Sequence, residues 1–178
     1  LAAHRYALFG LFLISFVESS IFPIPPDIML IPMILAARNQ AWRIAFVCTI
    51  ASVLGGIGGY YIGYFLFEEF GRPILEFYHY YSQFEQLQTE YNKWGAWAVF
   101  VAGLSPFPYK VITILSGAVE LNLSTFIIAS ILARGLRFFV LAWLLWKFGD
   151  SVQDFIKRRL GILFTLFCAL LVGGFVVI

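Results

Sequence analysis

Charged side chains are scarce in this 178-residue chain, because lysine, arginine, aspartate and glutamate together make up only 12% of it. Soluble domains contain about a quarter charged residues and about half apolar ones, whereas 61% of this chain is hydrophobic. The mean hydropathy of +0.87 agrees with that bias. The composition therefore predicts an integral membrane protein. The net charge of +2 is small and dispersed, so a nucleic-acid partner is not expected.

Cysteine and histidine are also rare. Cys48 and Cys168 lie in apolar runs without metal-type spacing, and we interpret both as small buried hydrophobic residues. His4 and His79 are isolated in the sequence. Neither a metal nor a cofactor is expected. Enzymatic activity is also not expected, because no serine or other nucleophile has a base partner at a suitable spacing.

Apolar runs and proline interruptions divide the chain into six predicted segments. Uninterrupted apolar runs of about 20 residues indicate transmembrane helices. Apolar residues at every third or fourth position within the polar stretch 68–94 indicate an amphipathic helix at the outer interface. In chain order, the segments are a re-entrant hairpin at 6–37, a transmembrane helix at 42–67, an external amphipathic segment at 68–94, a second re-entrant hairpin at 95–120, and transmembrane helices at 124–147 and 160–178.

The two hairpins are inferred from loop charges, because basic residues accumulate in short cytoplasmic loops. The residues expected in the cytoplasm are His4, Arg5, Arg38, Arg43, Lys147, Lys157, Arg158 and Arg159. The acidic segment 68–94 is expected outside. Segment 6–37 then begins and ends inside, and segment 95–120 begins and ends outside. Each is therefore predicted to return to the face that it entered.

A weak internal repeat supports opposite orientations of the two hairpins. Placing Pro23 over Pro106 also places Pro25 over Pro108 and Asp27 over Lys110. An inverted repeat of a broken hairpin plus a transmembrane helix is an architecture found in many transporters. We therefore predict an all-α membrane protein with this inverted repeat and an extra C-terminal transmembrane helix.

Prolines at the hairpin tips remove backbone donors and interrupt the helices. The predicted breaks are at Pro23, Pro25, Pro26, Pro106 and Pro108. Unpaired backbone groups are tolerated at membrane depth only inside protein or beside a wet cavity. The two breaks are thus predicted to face each other in a polar cavity. Alternatively, each hairpin is a pair of short spans joined by an ordinary surface loop.

Five charged residues in apolar surroundings form the candidate site. Arg134 and Arg137 share one helix face, and with Lys110 they are predicted to bind an anionic group. Glu18 and Asp27 are predicted to couple that binding to proton uptake, because burial favours the neutral form of an acid. The alternative for Glu18 is a position near the lipid headgroups, and for the arginines it is a long side chain that reaches the interface.

The strings ESSIFPIPPDIML and SPFPYKVITILSGA resemble the proline-centred hairpins of the DedA family, whose members share the SNARE-associated or VTT domain. PFPYKVITILSGA and the following LARGLRFF resemble its YqaA-like subgroup in particular. The resemblance implies two opposed re-entrant hairpins in the bacterial inner membrane, lipid translocation that depends on the proton gradient, and essential acids at Glu18 and Asp27. Many members carry two arginines around the second break, whereas this chain has only Lys110 nearby.

The expected function is a proton-coupled flippase or scramblase for an anionic lipid, either polyprenyl phosphate or a phospholipid. Its partners would be membrane lipids and possible further copies of the chain in a homo-oligomer. Two alternatives stay open: a proton-coupled carrier of a small ion or solute, and a scaffold that transports nothing. An intramembrane enzyme is the weakest alternative.

Overall fold

The computed structural model of the protein describes the backbone of residues 5–20, 26–105 and 108–176, and the side chains of residues 6–20, 26–105 and 108–149. Every regular element in these ranges is a helix, which confirms the predicted all-α class. The helices are α1 (Arg5–Ser20), α2 (Asp27–Ala36), α3 (Ala41–Leu66), α4 (Arg72–Phe77), α5 (Tyr81–Leu104), α6 (Tyr109–Ala118) and α7 (Leu123–Val176). A short 3-10 helix (Arg38–Gln40) precedes α3, and a π-helical turn (Phe67–Gly71) connects α3 to α4.

Two long helical segments form the centre of the structure. Arg38–Phe77 and Leu123–Gly149 are long and apolar enough to cross a membrane by length and composition. The stacked rings of Trp42 and Phe139 have centroids 6.0 Å apart near one end of the two helices. The tilted rings of Tyr60 and Phe126 have centroids 5.3 Å apart near the other end. Helices α3 and α7 are therefore antiparallel neighbours.

The first pair of shorter helices reaches only halfway along α3. Ser15 Oγ donates to the carbonyl of Cys48 at 3.0 Å, and Ser20 Oγ donates to the carbonyl of Gly55 at 2.9 Å, so α1 is parallel to α3. Because α1 ends at Ser20, its end lies level with the middle of α3. Helix α2 then returns to the start of α3.

The second half of the chain repeats this arrangement. Gly95 contacts Leu121, and Gly103 contacts Ala133, so α5 is parallel to α7 and ends near the middle of its membrane-length part. Helix α6 returns to the start of α7. When Asp27 is placed over the equivalent Lys110, the starts of α2 and α6 agree to within one residue, as do those of α3 and α7. The helix order of the predicted repeat is therefore present.

The polar segment 68–94 differs from the single amphipathic helix that the sequence predicted. The first long helix continues through the π-helical turn into α4, and the chain reverses at Tyr78–Tyr80, where His79 has a positive φ of 59°. Helix α5 then passes through the predicted boundary at 94–95 without a break. Within this continuous helix, the small size of Gly95 lets α5 approach Leu121 closely.

The predicted helices at 124–147 and 160–178 are parts of one helix, because α7 runs unbroken to Val176. The intervening sequence contains no proline and only one glycine, Gly149, so nothing in it stops a helix. Three of the predicted break residues lie outside the described residues, namely Pro23, Pro25 and Pro106. Among the described residues, Pro26 precedes α2, and Ser105 and Pro108 lie between α5 and α6. The helices on the two sides of each break are therefore separate.

Two glycines let α3 and α6 cross in backbone contact. A Cβ atom on Gly63 would lie 1.9 Å from the carbonyl oxygen of Ile114, and one on Gly117 would lie 1.8 Å from that of Tyr60. Both contacts are with backbone atoms, which cannot rotate away. The second broken pair is thus packed directly against the first long helix.

We expect Gly63→Ala and Gly117→Ala to destabilise the protein by about 1–3 kcal/mol, because the added methyl group forces the two backbones apart. Gly135→Ala is the matched control, since its added Cβ would meet only Thr49 Cγ2, at 3.8 Å. Thermal unfolding in detergent measures the effect. Equal melting temperatures for all three variants would contradict the close crossing.

Candidate functional site

A buried arginine lies where α1, α3, α6 and α7 meet. Arg134 is only 1% exposed, although its side chain is among the largest in the interior. Its Nη2 donates to Glu18 Oε2 at 3.0 Å, and its Nε donates to Ser52 Oγ at 2.6 Å. Its guanidinium carbon lies 4.8 Å from the ring centre of Tyr109 and 4.7 Å from that of Phe138. Cation–π contacts therefore add to the ion pair.

Serine hydroxyls join the two ends of this ion pair. Ser52 and Ser19 are hydrogen-bonded at 2.7 Å, and Ser19 Oγ donates to Glu18 Oε2 at 3.0 Å. A second connection thus runs from Arg134 through both serines to the carboxylate. Hydrogen bonds to the remaining positions of a buried ion pair stabilise it, and here the serines supply such bonds to Arg134 Nε and Glu18 Oε2.

Helix α6 contributes to the same site through Tyr109 and Thr113. The Tyr109 hydroxyl donates to Ser130 Oγ on α7, which positions its ring beside Arg134. Thr113 Oγ1 lies 3.3 Å from the carbonyl oxygen of Ser19, to which it donates. Both broken pairs therefore contact one another around the Arg134 side chain.

One turn further along α7, Arg137 connects the two helix breaks. Its Nη2 donates to Asp27 Oδ2 at 2.6 Å, and its Nη1 donates to the carbonyl oxygen of Ser105 at 3.0 Å. Asp27 begins α2, and Ser105 follows the last residue of α5. A single guanidinium group thus holds both breaks together. The side chains of this pair, 23% and 24% exposed, are more accessible than Arg134.

The other carboxylate oxygen of Asp27 has no partner among the described residues. Asp27 Oδ1 is buried and accepts no hydrogen bond from that part of the chain. An unpaired buried acceptor is costly, and a proton on this oxygen would turn it into a donor. The structure thus presents one satisfied and one unsatisfied oxygen on the same acid.

Lys110 lies in the first turn of α6 and is half-buried. Its carbonyl oxygen accepts a hydrogen bond from Thr113 Oγ1 at 2.9 Å. Asp27, which the internal repeat places over Lys110, is paired with Arg137. At the first break, the carbonyl oxygen of Pro26 accepts from the amides of Met29 and Leu30, so this proline starts α2. Pro108 lies immediately before α6.

The structure brings four of the five predicted charged residues together as two ion pairs on neighbouring turns of α7. Sequence reasoning missed the polar residues that support them, above all Ser19, Ser52 and Tyr109. A usable signal was present, because Ser15 and Ser19 are four positions apart and so share one face of an otherwise apolar helix. Within the described residues, no group of three or more histidines, cysteines or acids could hold a metal ion.

Comparison with known proteins is consistent with this geometry. The VTT domain profile matches residues 24–147, which include the second break, both arginines and the first break except Pro23. The chain is 37% identical over 160 residues to an uncharacterised protein of Haemophilus influenzae, covering 90% of this chain and 83% of the relative. It is 38% identical to an uncharacterised protein of Histophilus somni, covering 88% and 83% respectively.

A more distant relative is an uncharacterised protein of Methanocaldococcus jannaschii, 28% identical over 133 residues, covering 74% of this chain and 79% of that one. No solved structure matches the chain. The family match covers well over half of the sequence. The chain therefore belongs to the VTT-domain, or DedA, family of membrane proteins.

The buried ion pair should show strong energetic coupling. We expect Arg134→Met to cost about 3–5 kcal/mol of stability, because it leaves the Glu18 charge without its partner. Glu18→Gln should likewise be costly. The double variant should be more stable than the sum of the two losses predicts, by about 2 kcal/mol. Equilibrium unfolding in mixed micelles measures this coupling.

Arg72 and Glu76 supply the matched control, because their ion pair is exposed and one helical turn apart. Solvent and salt screen such a pair, so the cycle of Arg72→Gln and Glu76→Gln should show little coupling. Additive losses at Arg134 and Glu18 would show that the buried contact is not an energetic unit.

Proposed function

We propose that this protein is a proton-coupled flippase or scramblase that moves an anionic lipid, polyprenyl phosphate or a phospholipid, across the bacterial cytoplasmic membrane. The observation that carries the proposal is the position of Arg137, which binds Asp27 and Ser105 at the same time. A cation that joins two helix breaks is the group that an anionic substrate would contact when the breaks separate.

The chemistry of a guanidinium group supports a phosphate substrate. Its planar fork of donors matches a carboxylate or a phosphate, and here one arm of the fork of Arg137 already holds the Asp27 carboxylate. A phosphate oxygen can replace that carboxylate with similar geometry. Proton uptake by Asp27 would weaken the ion pair and release Arg137 to the substrate. Substrate binding and proton binding would thereby be linked.

The proposed membrane arrangement follows from the short helices. Helices α1, α2 and α6 have 16, 10 and 10 residues, fewer than the roughly 20 needed to cross a bilayer. Helix α5 has 24 residues, but only its part from Trp94 onward is apolar. We place each broken pair as a re-entrant hairpin, with the pair α1–α2 opening to the cytoplasm and the pair α5–α6 to the outside. Alternate loosening of the two hairpins would then expose Arg137 to one side at a time.

The two other basic residues act in different steps of this mechanism. Lys110 lies at the start of α6, where an ammonium group can meet the phosphate as a point charge. Arg134 is fully buried and held by Glu18, so it would reach substrate only after Glu18 takes up a proton. In this scheme Glu18 and Asp27 carry the coupled protons, and neither forms a covalent bond with the lipid.

Translocation in proteoliposomes tests the proposal. We expect Arg137→Gln to slow the movement of a labelled anionic lipid at least about tenfold, which corresponds to the loss of one charged hydrogen bond. Arg137→Lys should recover only part of the rate, because it retains the charge without the fork. Asp27→Asn should reduce the dependence of the remaining movement on a pH gradient and leave only the part that Glu18 carries.

Arg72→Gln is the control, because this arginine is exposed and far from both breaks in sequence. It should leave the rate and its dependence on pH unchanged. Folded wild-type protein that moves no lipid but takes up a small anion would favour the solute carrier. Wild-type protein that moves neither would favour the scaffold.

A further inference from the structure

Tyr109 is the ring through which α6 contacts the buried Arg134. It is 0% exposed and directly follows Pro108 in the second break. A Cβ atom added to Gly56 of α3 would lie 3.2 Å from Tyr109 Cε1, and one added to Gly103 of α5 would lie 3.4 Å from Tyr109 Cε2. Because these two carbons are on opposite edges of the ring, the glycines form a slot around it. The ring therefore has little room to turn.

Two contacts, one helical turn apart, join this ring to α7. The Tyr109 hydroxyl donates to Ser130 Oγ, and the guanidinium carbon of Arg134 lies 4.8 Å from the ring centre. Phe138, the other ring beside this guanidinium, is itself part of α7 and moves with it. Tyr109, by contrast, comes from a different helix. Movement of α6 away from α7 would therefore break both of its contacts together.

Arg134 is also held by the first broken pair, because its Nη2 donates to Glu18 Oε2 on α1 at 3.0 Å. One turn after Tyr109, Thr113 Oγ1 donates to the carbonyl oxygen of Ser19 at 3.3 Å. Helix α6 thus meets the end of α1 both directly and through Arg134. A hydrogen bond between ionised groups is about twice as strong as one between neutral groups. The connection through Arg134 consequently depends on the charge of Glu18, whereas the bond from Thr113 does not.

Glu18 is the group in this cluster that a proton changes. The other titratable or charged groups that face Arg134 are Cys48 from α3, Tyr109 from α6 and Arg137 from α7. An arginine stays charged in proteins, and the neutral forms of a thiol and a phenol predominate at neutral pH. A proton on Glu18 would leave the guanidinium group buried without a counter-charge, which is costly.

We propose that Tyr109 is a positioning residue that makes the second broken pair respond to the charge of Glu18. While Glu18 is ionised, it fixes Arg134 against the ring, and α6 stays against α7. A proton taken from water by Glu18 weakens the ion pair, Arg134 moves toward a more hydrated position, and the ring loses its cation. This inference rests on the proposed proton-coupled transport, to which it adds the residue that connects the proton step on α1 to a movement of α6.

Ring fluorination separates the cation–π contact from packing. Fluorine atoms draw electron density from the face of the ring and change its shape little, so they weaken its attraction for a cation. The series places phenylalanine, and phenylalanines with one, two and three ring fluorines, at position 109. It is made with Arg134 and Glu18 present and in the double variant Arg134→Met and Glu18→Gln, which has no charge beside the ring. Equilibrium unfolding in mixed micelles measures the stability of each protein.

With Arg134 present, we expect the folding equilibrium constant to fall stepwise, by about tenfold at three fluorines, because a desolvated cation–π contact contributes about that factor. In the double variant, the same series should have no effect. Equal losses in both backgrounds would show that the ring only fills space. No loss in either background would show that Arg134 does not depend on the ring. Either result would overturn the assignment.

Spin labels on α1 and α6 test the connection to Glu18. Leu13 and Val111 are 45% and 44% exposed, and both cysteines are replaced by alanine. Electron paramagnetic resonance in lipid nanodiscs should give a narrow distance distribution when Tyr109 is present, and Glu18→Gln, which mimics the protonated acid, should broaden it. Tyr109→Leu should be broad already and should not respond to Glu18→Gln. Tyr109→Phe should restore both the narrow distribution and the response.

Labels at Phe46 on α3 and Trp143 on α7 supply the control, because both side chains are exposed. Their distance should be the same in every variant. If it changes, the substitutions loosen the whole fold and the assignment is overturned. A response to Glu18→Gln that persists unchanged in Tyr109→Leu, or that is absent when Tyr109 is present, would also overturn it.

Neither measurement requires a transported lipid, so failure of the connection and failure of the proposed transport give different results. If the fluorinated rings and the spin labels behave as expected but proteoliposomes show no translocation, the connection stands and the proposed transport fails. If translocation depends on Arg137 and Asp27 as expected while the substitutions at Tyr109 have no effect in either measurement, the transport stands and the connection is overturned.

Discussion

A helix that ends inside a membrane protein leaves backbone groups that need partners, and in this structure an arginine on a continuous helix supplies one of them. Arg137 donates to the carbonyl oxygen of Ser105, which follows α5, and to the carboxylate of Asp27, which begins α2. The two breaks depend on each other through this one side chain. Loss of either contact removes a charge-assisted hydrogen bond from one of the breaks. The packing of α1, α2, α5 and α6 around the long helices therefore places both helix breaks beside the guanidinium group of Arg137.

The two ion pairs differ in accessibility, and this difference separates their roles in the proposed mechanism. Arg134 is enclosed by two aromatic rings and hydrogen-bonded to Ser52 and Glu18, so its exchange with a substrate requires rearrangement of the helices that carry these groups. Arg137 retains about a quarter of its surface, and it faces Asp27, whose Oδ1 accepts no hydrogen bond from the described part of the chain. An incoming anion would compete first at the more accessible arginine. Proximity on α7 then lets a change at one pair alter the field at the other, because charges one helical turn apart interact strongly in a medium of low dielectric constant.

Local sequence signals predicted the helix breaks and the charged residues, and long-range packing decided the rest. Prolines, and acids or bases in apolar runs, are visible along the chain because each is unfavourable in a membrane helix. The choice of partner for Asp27 was not visible, since it depends on which face of α7 meets α2. The continuity of α5 across 94–95 and of α7 beyond 147 was also missed. A change from polar to apolar composition marks a change of environment, and a helix can continue through it.

The central claim is that Arg137 holds the two helix breaks together. Spin labels at Ile28 on α2 and Leu104 on α5, both exposed, report the separation of the breaks when Cys48 and Cys168 are replaced by alanine. Electron paramagnetic resonance in lipid nanodiscs should give one narrow, short distance distribution when Arg137 is present. In Arg137→Gln, the distribution should broaden and shift to longer distances. The same narrow distribution with and without the guanidinium group would contradict the account.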